Sequence, residues 1–487
     1  MRNLLRNAEC GMRISCFVAL FGALAFSALG QIPEPGPAKS VNVPAVKETK
    51  LKNGLTVAVV EKHSTPIVTV QLLIRAGAGA EAIEKAGLAN LTADMLTKGT
   101  KTRTAEQIAE EMEFLGASIN TGAGWNSSSV SMTVTADKLD QAMAIMSDVV
   151  LNPTFKQEEL DLLKSQSLDE LQSALTQPAF LANYVGSVYA LREHPAGGTA
   201  ASLGSMSRED VAGFYGRSYS PEQSVLIFTG DITPSVASSL AERLFGRWPG
   251  RKIEPGVRAE GGVISSSGPR EIANRILVVD LPNAGQASVN YFKPITSFGR
   301  RAKSYYSAAV LNSLLGGGYS SRLNQEIRIK RGLSYGAGSS FGWRPGSTNF
   351  TTRTQTKNQS AAEVAELVIG ELRRLGDTDA AESELNPRRQ VLTGNFGRNL
   401  ETTSGLASAI GDLYSFGVPT TELNNYMPSV SGVGPAGVKD FATQYLRDGD
   451  LIIVGDYSIF KDDLAKRFPG MKVEVIKASD LDLTKLK

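Results

Sequence analysis

Phe114-Leu115-Gly116-Ala117-Ser118-Ile119-Asn120 stands in the middle of an order of elements that this chain uses twice. Before it lie a β-like run, Ile67 to Ile74, and a helical segment, Gly87 to Met95. After it come a polar alternating strand, Ser127 to Thr135, and a helix from Asp137 to Val150. Alternation marks the strands, and apolar residues three and four apart mark the helices. The order returns as a β-like run (Arg275 to Val279), a helix around Tyr306 to Leu315, then Arg331-Gly332-Leu333-Ser334-Tyr335-Gly336, an alternating strand (Thr348 to Thr354) and a helix from Ala361 to Leu375. Gly116 and Gly332 anchor the match, 216 positions apart. A period that long predicts duplicated domains rather than a solenoid, and the mixed elements predict α+β halves.

The duplication sets the domain plan. From Pro249 to Arg270, Gly, Pro and Ser interrupt every apolar period, as expected of a linker. Residues 46–250 and 271–487 are read as the two halves, with 251–270 joining them. Residues 1–30 read differently. Arg2, Arg6 and Arg13 precede the apolar run Ile14 to Leu29, which ends in Ala28-Leu29-Gly30, the pattern of an export signal cut before Gln31. Residues 31–45 begin as the Pro-rich tether Gln31-Ile32-Pro33-Glu34-Pro35-Gly36-Pro37. The expected location is therefore periplasmic or extracellular, with no stable membrane insertion once the signal is removed.

Charge and cysteine content narrow the function. Removing residues 1–30 takes Arg2, Arg6, Arg13 and Glu9 from 51 basic and 49 acidic residues, leaving 48 of each. A neutral chain without a basic run makes nucleic acid and anionic membranes poor partners. Both cysteines, Cys10 and Cys16, lie in the signal, so no thiol remains for disulfides or metal. The two histidines, His63 and His194, cannot form an i, i+4 pair, and each sits in a setting expected of a turn or surface residue.

The run Gly87-Leu88-Ala89-Asn90-Leu91-Thr92-Ala93-Asp94-Met95-Leu96-Thr97-Lys98-Gly99-Thr100 is followed and preceded by further distinctive stretches: Asn53 to Val57, Gly116 to Asn120, Asn152 to Phe155, Phe214 to Glu222, Gly230-Asp231 and Ser321 to Tyr335. In this order they resemble the M16 peptidase family of the pitrilysin clan, which includes insulinase and the mitochondrial processing peptidase. The run from Gly87 is similar to the segment where that family carries its inverted zinc motif, His-x-x-Glu-His. The resemblance implies two homologous α+β halves, each a duplicated α/β sandwich unit with a mostly antiparallel sheet, forming a clamshell.

It also implies a defect. Zinc hydrolysis needs two histidines on one helical face and a glutamate between them as general base. Here those positions are Asn90, Ala93 and Asp94. Glu170 falls where the family places its third ligand, and Asn90, Asp94 and Glu170 make only a weak oxygen site for a hard cation. The second half keeps what the first has lost. Arg328 and Tyr335 match the family's pair that touches substrate and stabilises the oxyanion, and Asn120 with Thr121 matches its edge strand beside the cleft.

The resemblance thus implies a non-catalytic, substrate-binding subunit of a heterodimer. No cofactor is expected in this chain. Zinc is expected in a homologous partner, with a peptide or unfolded segment as substrate. The alternative is a proteolytically inactive scaffold or peptide-binding protein of the same fold.

Overall fold

The computed structural model describes residues 43–250, 273–483 and 486. The expected signal, most of the tether and the linker 251–270 lie outside the described residues. Among those described, the strands form two six-stranded sheets. The first runs β1-β2-β6-β3-β5-β4, built from β1 (Lys47–Lys50), β2 (Thr56–Glu61), β3 (Ile67–Ile74), β4 (Asn120–Ala123), β5 (Ser128–Thr135) and β6 (Ser224–Gly230). The second runs β12-β7-β11-β8-β10-β9, from β7 (Ala273–Asp280), β8 (Ala287–Ile295), β9 (Ala337–Trp343), β10 (Thr348–Thr356), β11 (Gly449–Gly455) and β12 (Val473–Lys477). Most neighbours in both are antiparallel.

The two orders superimpose place by place except at one edge. There β1 lies antiparallel to β2, whereas β12 arrives from the far end of the chain and lies parallel to β7. Topology also corrects one pairing in the sequence repeat. The run Arg275 to Val279 belongs to β7, the twin of β2, and the twin of Ile67–Ile74 is β8. Short apolar runs show that a strand is buried but not which neighbour it takes.

The glycine anchors do have matching geometry. Helices α1 (Leu88–Met95), α2 (Ala105–Phe114), α3 (Leu139–Leu151), α4 (Gln157–Leu175), α5 (Pro178–Tyr189) and α6 (Arg208–Ser218) belong to the first half. Helices α7 (Tyr305–Leu315), α8 (Ala361–Asp377), α9 (Glu382–Leu400) and α10 (Thr403–Phe416) belong to the second. Helix α2 stops at Gly116, whose φ of +68° turns the chain so that Ala117 N–H reaches Met112 O. Gly332, at φ +65°, ends the equivalent helical turn, and Leu333 N–H reaches Ile327 O. That second corner is one residue wider because Gln325–Ile329 is wound as a π-turn.

The halves are joined by an exchange of helices. Helix α5 of the first half packs on β8, β10 and β11 of the second sheet, and α10 of the second half packs on β3 and β6 of the first. Leu406, Ala407, Ile410 and Leu413 share a core with Ala58, Val60, Leu73, Val225 and Ile227. Leu181, Ala182, Val185 and Tyr189 share one with Leu277, Val279, Phe292, Ile452 and Val454. This explains why β6 and β11 are buried along their whole length: both faces are covered. The exchanged helices carry one pattern, Leu181-Ala182-x-x-Val185-Gly186-x-Val188-Tyr189 and Leu406-Ala407-x-x-Ile410-Gly411-x-Leu413-Tyr414, 225 positions apart.

Each pattern places a glycine where helix meets sheet. A Cβ on Gly186 would lie 2.3 Å from the Phe292 ring, whereas one on Gly411 would lie 3.2 Å from the flexible end of Gln71. Gly186→Ala should therefore lower stability by about 1–3 kcal/mol through overpacking, although alanine favours helix by about 1 kcal/mol. Gly411→Ala should cost clearly less. Urea unfolding of the two variants checks this, and a Gly186→Ala protein as stable as the parent would contradict the packing described.

Candidate functional site

Helix α1, where the family resemblance puts the zinc motif, is a core element. It packs on α4, α6, β4 and β5, and Leu88, Ala89, Leu91, Thr92, Ala93 and Met95 are buried. Asn90 turns its side-chain N–H to Ala196 O at 3.1 Å. Ala93 has no exposed surface and no group that accepts a proton. Burial raises the Asp94 carboxyl above the usual range, and the nearby Glu170 charge pushes it the same way against the pull of Lys98. An amide already donating, a methyl group and a carboxyl disfavoured as an anion do not fit zinc, which wants histidine or thiolate donors and a neighbouring base. Among the described residues no three His, Cys, Asp or Glu side chains are grouped to hold a metal ion.

Beside α1 lies a polar seam that motif reading did not single out. Glu81 has no exposed side-chain surface and accepts the N–H groups of Gly87 at 2.8 Å and Ala89 at 2.7 Å, capping the helix. Burial pushes this carboxyl up to about 7, outweighing those hydrogen bonds. His194 follows at 3.6 Å. It is a loop residue, as its Pro195 neighbour suggested, but not a surface one. Only 8% of it is exposed, Nε2 lies 3.1 Å from Ala78 O, and its ring stacks on Trp125 at 5.0 Å. Burial lowers its pKa. His63 is exposed, as expected, between Asp231 and Glu61.

The seam crosses to the second half. The Arg344 guanidinium covers the Trp125 ring at 4.3 Å and pairs with Glu193 at 2.5 Å, while Asn126 donates to Trp343 O at 2.9 Å. The adjacent dipeptides Trp125-Asn126 and Glu193-His194 were the only sequence signal, and nothing in their spacing names a partner more than 150 residues away.

The residues expected to face substrate lie elsewhere. Asn120 opens β4, the outermost strand of its sheet, which lies against α1 and, among the described residues, pairs with β5 alone. An edge strand carries a row of backbone groups that can pair with another strand. Arg328 is on the π-turn, half-buried, with its guanidinium 4.8 Å from the Tyr319 ring. Tyr335 follows the Gly332 corner and is 90% exposed. Arg328 and Tyr335 thus share one corner of the second half, whereas Asn90, Asp94 and Glu170 share α1 and α4 of the first. Tyr335 also borders a cavity of about 370 Å³ between α5 and the second sheet.

The paired six-stranded halves define the class of fold, and comparison with known proteins agrees on it. A family model described as "Insulinase (Peptidase family M16)" matches residues 56–196, and one described as "Peptidase M16 inactive domain" matches residues 205–392. The chain belongs to the M16 peptidase family. Proteins described as uncharacterized zinc proteases are similar: one from Rickettsia bellii is 27% identical over 75% of this chain and 87% of its own length. One from Mycobacterium tuberculosis is 26% identical over 78% and 86%. A Pseudomonas fluorescens structure described as a peptidase M16 inactive domain superimposes with a TM-score of 0.73 at 23% identity, covering 84% of this chain and 98% of that one. A Helicobacter pylori protease gives 0.75 at 18% identity, covering 85% and 100%.

The Glu81 cap makes stability depend on pH. Its folded pKa of about 7 lies above the ordinary 4.5, so the folded state holds the proton more tightly than the unfolded chain. Its contribution is full below 4.5 and is lost as pH rises to about 7, at up to about 1.4 kcal/mol per pH unit. In Glu81→Gln this slope should vanish. Urea unfolding of both proteins at pH 5, 6 and 7 isolates the effect from that of His194, and parallel pH profiles would refute the assignment.

Proposed function

We propose that this chain is the non-catalytic, substrate-binding subunit of an exported heterodimeric M16-type metallopeptidase, whose zinc is held by a homologous partner. The observation that carries the reading is the division of the site. Tyr335 is 90% exposed beside Arg328 on the second half, while α1 in the first half holds Asn90, Ala93 and Asp94 where a metal site needs donors and a base. An exposed Tyr335 and a half-buried Arg328 on a chain whose α1 lacks metal donors suit a reaction whose metal is supplied from outside.

The two donors have a definite task. Hydrolysis of a peptide bond builds negative charge on the carbonyl oxygen, and a guanidinium and a phenol both donate to that charge. Arg328 is already held against Tyr319, so part of its ordering cost is met before substrate arrives. The edge strand beginning at Asn120 takes the backbone of an extended peptide as an added strand, which suits unfolded segments and short peptides. Residues 1–30 supply the export signal in this reading, and assembly takes place outside the cytoplasm.

In the reconstituted pair, Arg328→Ala and Tyr335→Phe should each lower kcat by about 10² to 10³, the usual loss for one oxyanion donor, while the subunits still assemble. Peptide turnover measures the first and sizing chromatography the second. Variants that assemble and cleave at the parent rate would favour the scaffold reading instead.

A further inference from the structure

We infer that the cavity beneath α5 is a carboxylate-binding subsite for the bound peptide, in which Arg353 reads the charge. The inference rests on the peptide-binding reading above and adds a substrate class to it. It begins with the reason the cavity exists. In the first half the corresponding corner is closed by threonines: Thr69 Oγ1 lies 2.8 Å from both Thr133 Oγ1 and Thr403 Oγ1, and Thr229 donates to Thr403 O at 2.8 Å.

The strand registers identify the matching corner of the second half. Thr69 lies opposite Thr229, the residue before the Gly230 that ends β6, and Ser288 lies opposite Val454, the residue before the Gly455 that ends β11. Thr133 opposite Thr69 corresponds to Gln355 opposite Ser288. The 225-residue spacing of the exchanged helices puts Pro178 where Thr403 stands. Proline and valine carry no hydroxyl, so the tie that closes the first corner cannot form in the second. About 370 Å³ is left open, enough for one side chain or one terminal residue.

The lining selects the ligand. Ser288 and Asn290, each 1% exposed, make the floor; Ser288 donates to Asn290 Oδ1 at 3.0 Å, and Asn290 Nδ2 donates to Asn183 Oδ1 of α5 at 3.3 Å. Gln286 and Gln355 add amides, and Tyr335 stands at the same cavity. Among the described residues that line it none is an aspartate or glutamate, and Arg353 carries the one charge. Arg275, Arg322 and Arg344 are each held by a carboxylate. Arg353, by contrast, is exposed and makes only a 3.4 Å contact to Ser340 Oγ, with no carboxylate partner among the described residues. A guanidinium with spare donors over a neutral amide floor matches the planar oxygens of a carboxylate. A peptide held at Tyr335 then places either its C-terminal carboxylate or an acidic side chain in the cavity.

Equilibrium binding to the full chain tests this without a partner subunit. Three fluorescein-labelled extended peptides of one sequence are compared by anisotropy: one with an internal Glu and a free C-terminus, one with that C-terminus amidated, and one with the Glu replaced by Gln. The peptide that loses the relevant carboxylate should bind about tenfold to hundredfold more weakly, and which one does so names the source. Arg353→Gln should abolish the difference. Ala179→Phe, which fills the cavity from the first turn of α5, should weaken the carboxylate peptides in the same way. Thermal melting establishes that each variant is folded. Equal binding of all three peptides to the parent, or a preference that survives both substitutions, overturns the subsite while leaving peptide binding intact. Failure of every peptide to bind overturns the peptide-binding reading as well.

Discussion

The exchange of α5 and α10 is the constraint on which the rest of the structure depends. A six-stranded sheet with apolar residues on both faces needs two covers, and each half supplies only one for its own sheet. The side chains of β6 divide between the two cores, Leu226 and Phe228 on one face, Val225 and Ile227 on the other. The second of those faces is covered by α10, from almost 180 residues further along. Each half alone would leave an apolar sheet face in water, so the two are bound by the hydrophobic effect rather than merely tethered. Close approach is what makes the cover effective, and Gly186 against the Phe292 ring is its tightest point.

Duplication followed by divergence then explains how the chemistry is distributed. The two sheets retain one strand order, and the two corners retain a left-handed glycine, because backbone geometry leaves little freedom there. Side chains at equivalent places were free to differ. The corner at Gly332 has a π-turn that carries Arg328, whereas α1 in the first half is a packed helix in which Ala93 is fully buried. Threonines close one end of the first sheet, and at the matching end of the second, where Pro178 and Val454 stand in place of Thr403 and Thr229, no such tie can form.

The polar seam works against the general cost of burying charge. Burial pushes Glu193 and Glu81 up and Arg344 down, and their mutual contacts and backbone hydrogen bonds only partly offset it. What the seam contributes is register. The Trp125 ring touches both His194 and Arg344, and Asn126 donates to the second half, so the halves meet in one alignment where a purely apolar contact would allow sliding.

Local pattern determined the elements, because alternation and helical spacing are properties of neighbouring residues. Ser128–Thr135 is the strand its alternation indicated, and Leu88–Met95 is the helix expected from its spacing. The unsuitability of Asn90, Ala93 and Asp94 for zinc was equally legible, since donor chemistry belongs to residue type. The repeat was visible at Gly116 and Gly332, and a second copy of it, at Gly186 and Gly411, could have been found at its slightly longer spacing. Only the tertiary structure decided that those two helices are exchanged, that His194 is buried under Trp125, and that Arg353, Asn290 and Asn183 meet around one cavity. The physical reason is common to all three. An apolar or polar run states that a face will be covered or hydrogen-bonded, but the residue that does so is chosen by packing between segments more than a hundred positions apart, and no local pattern carries that choice.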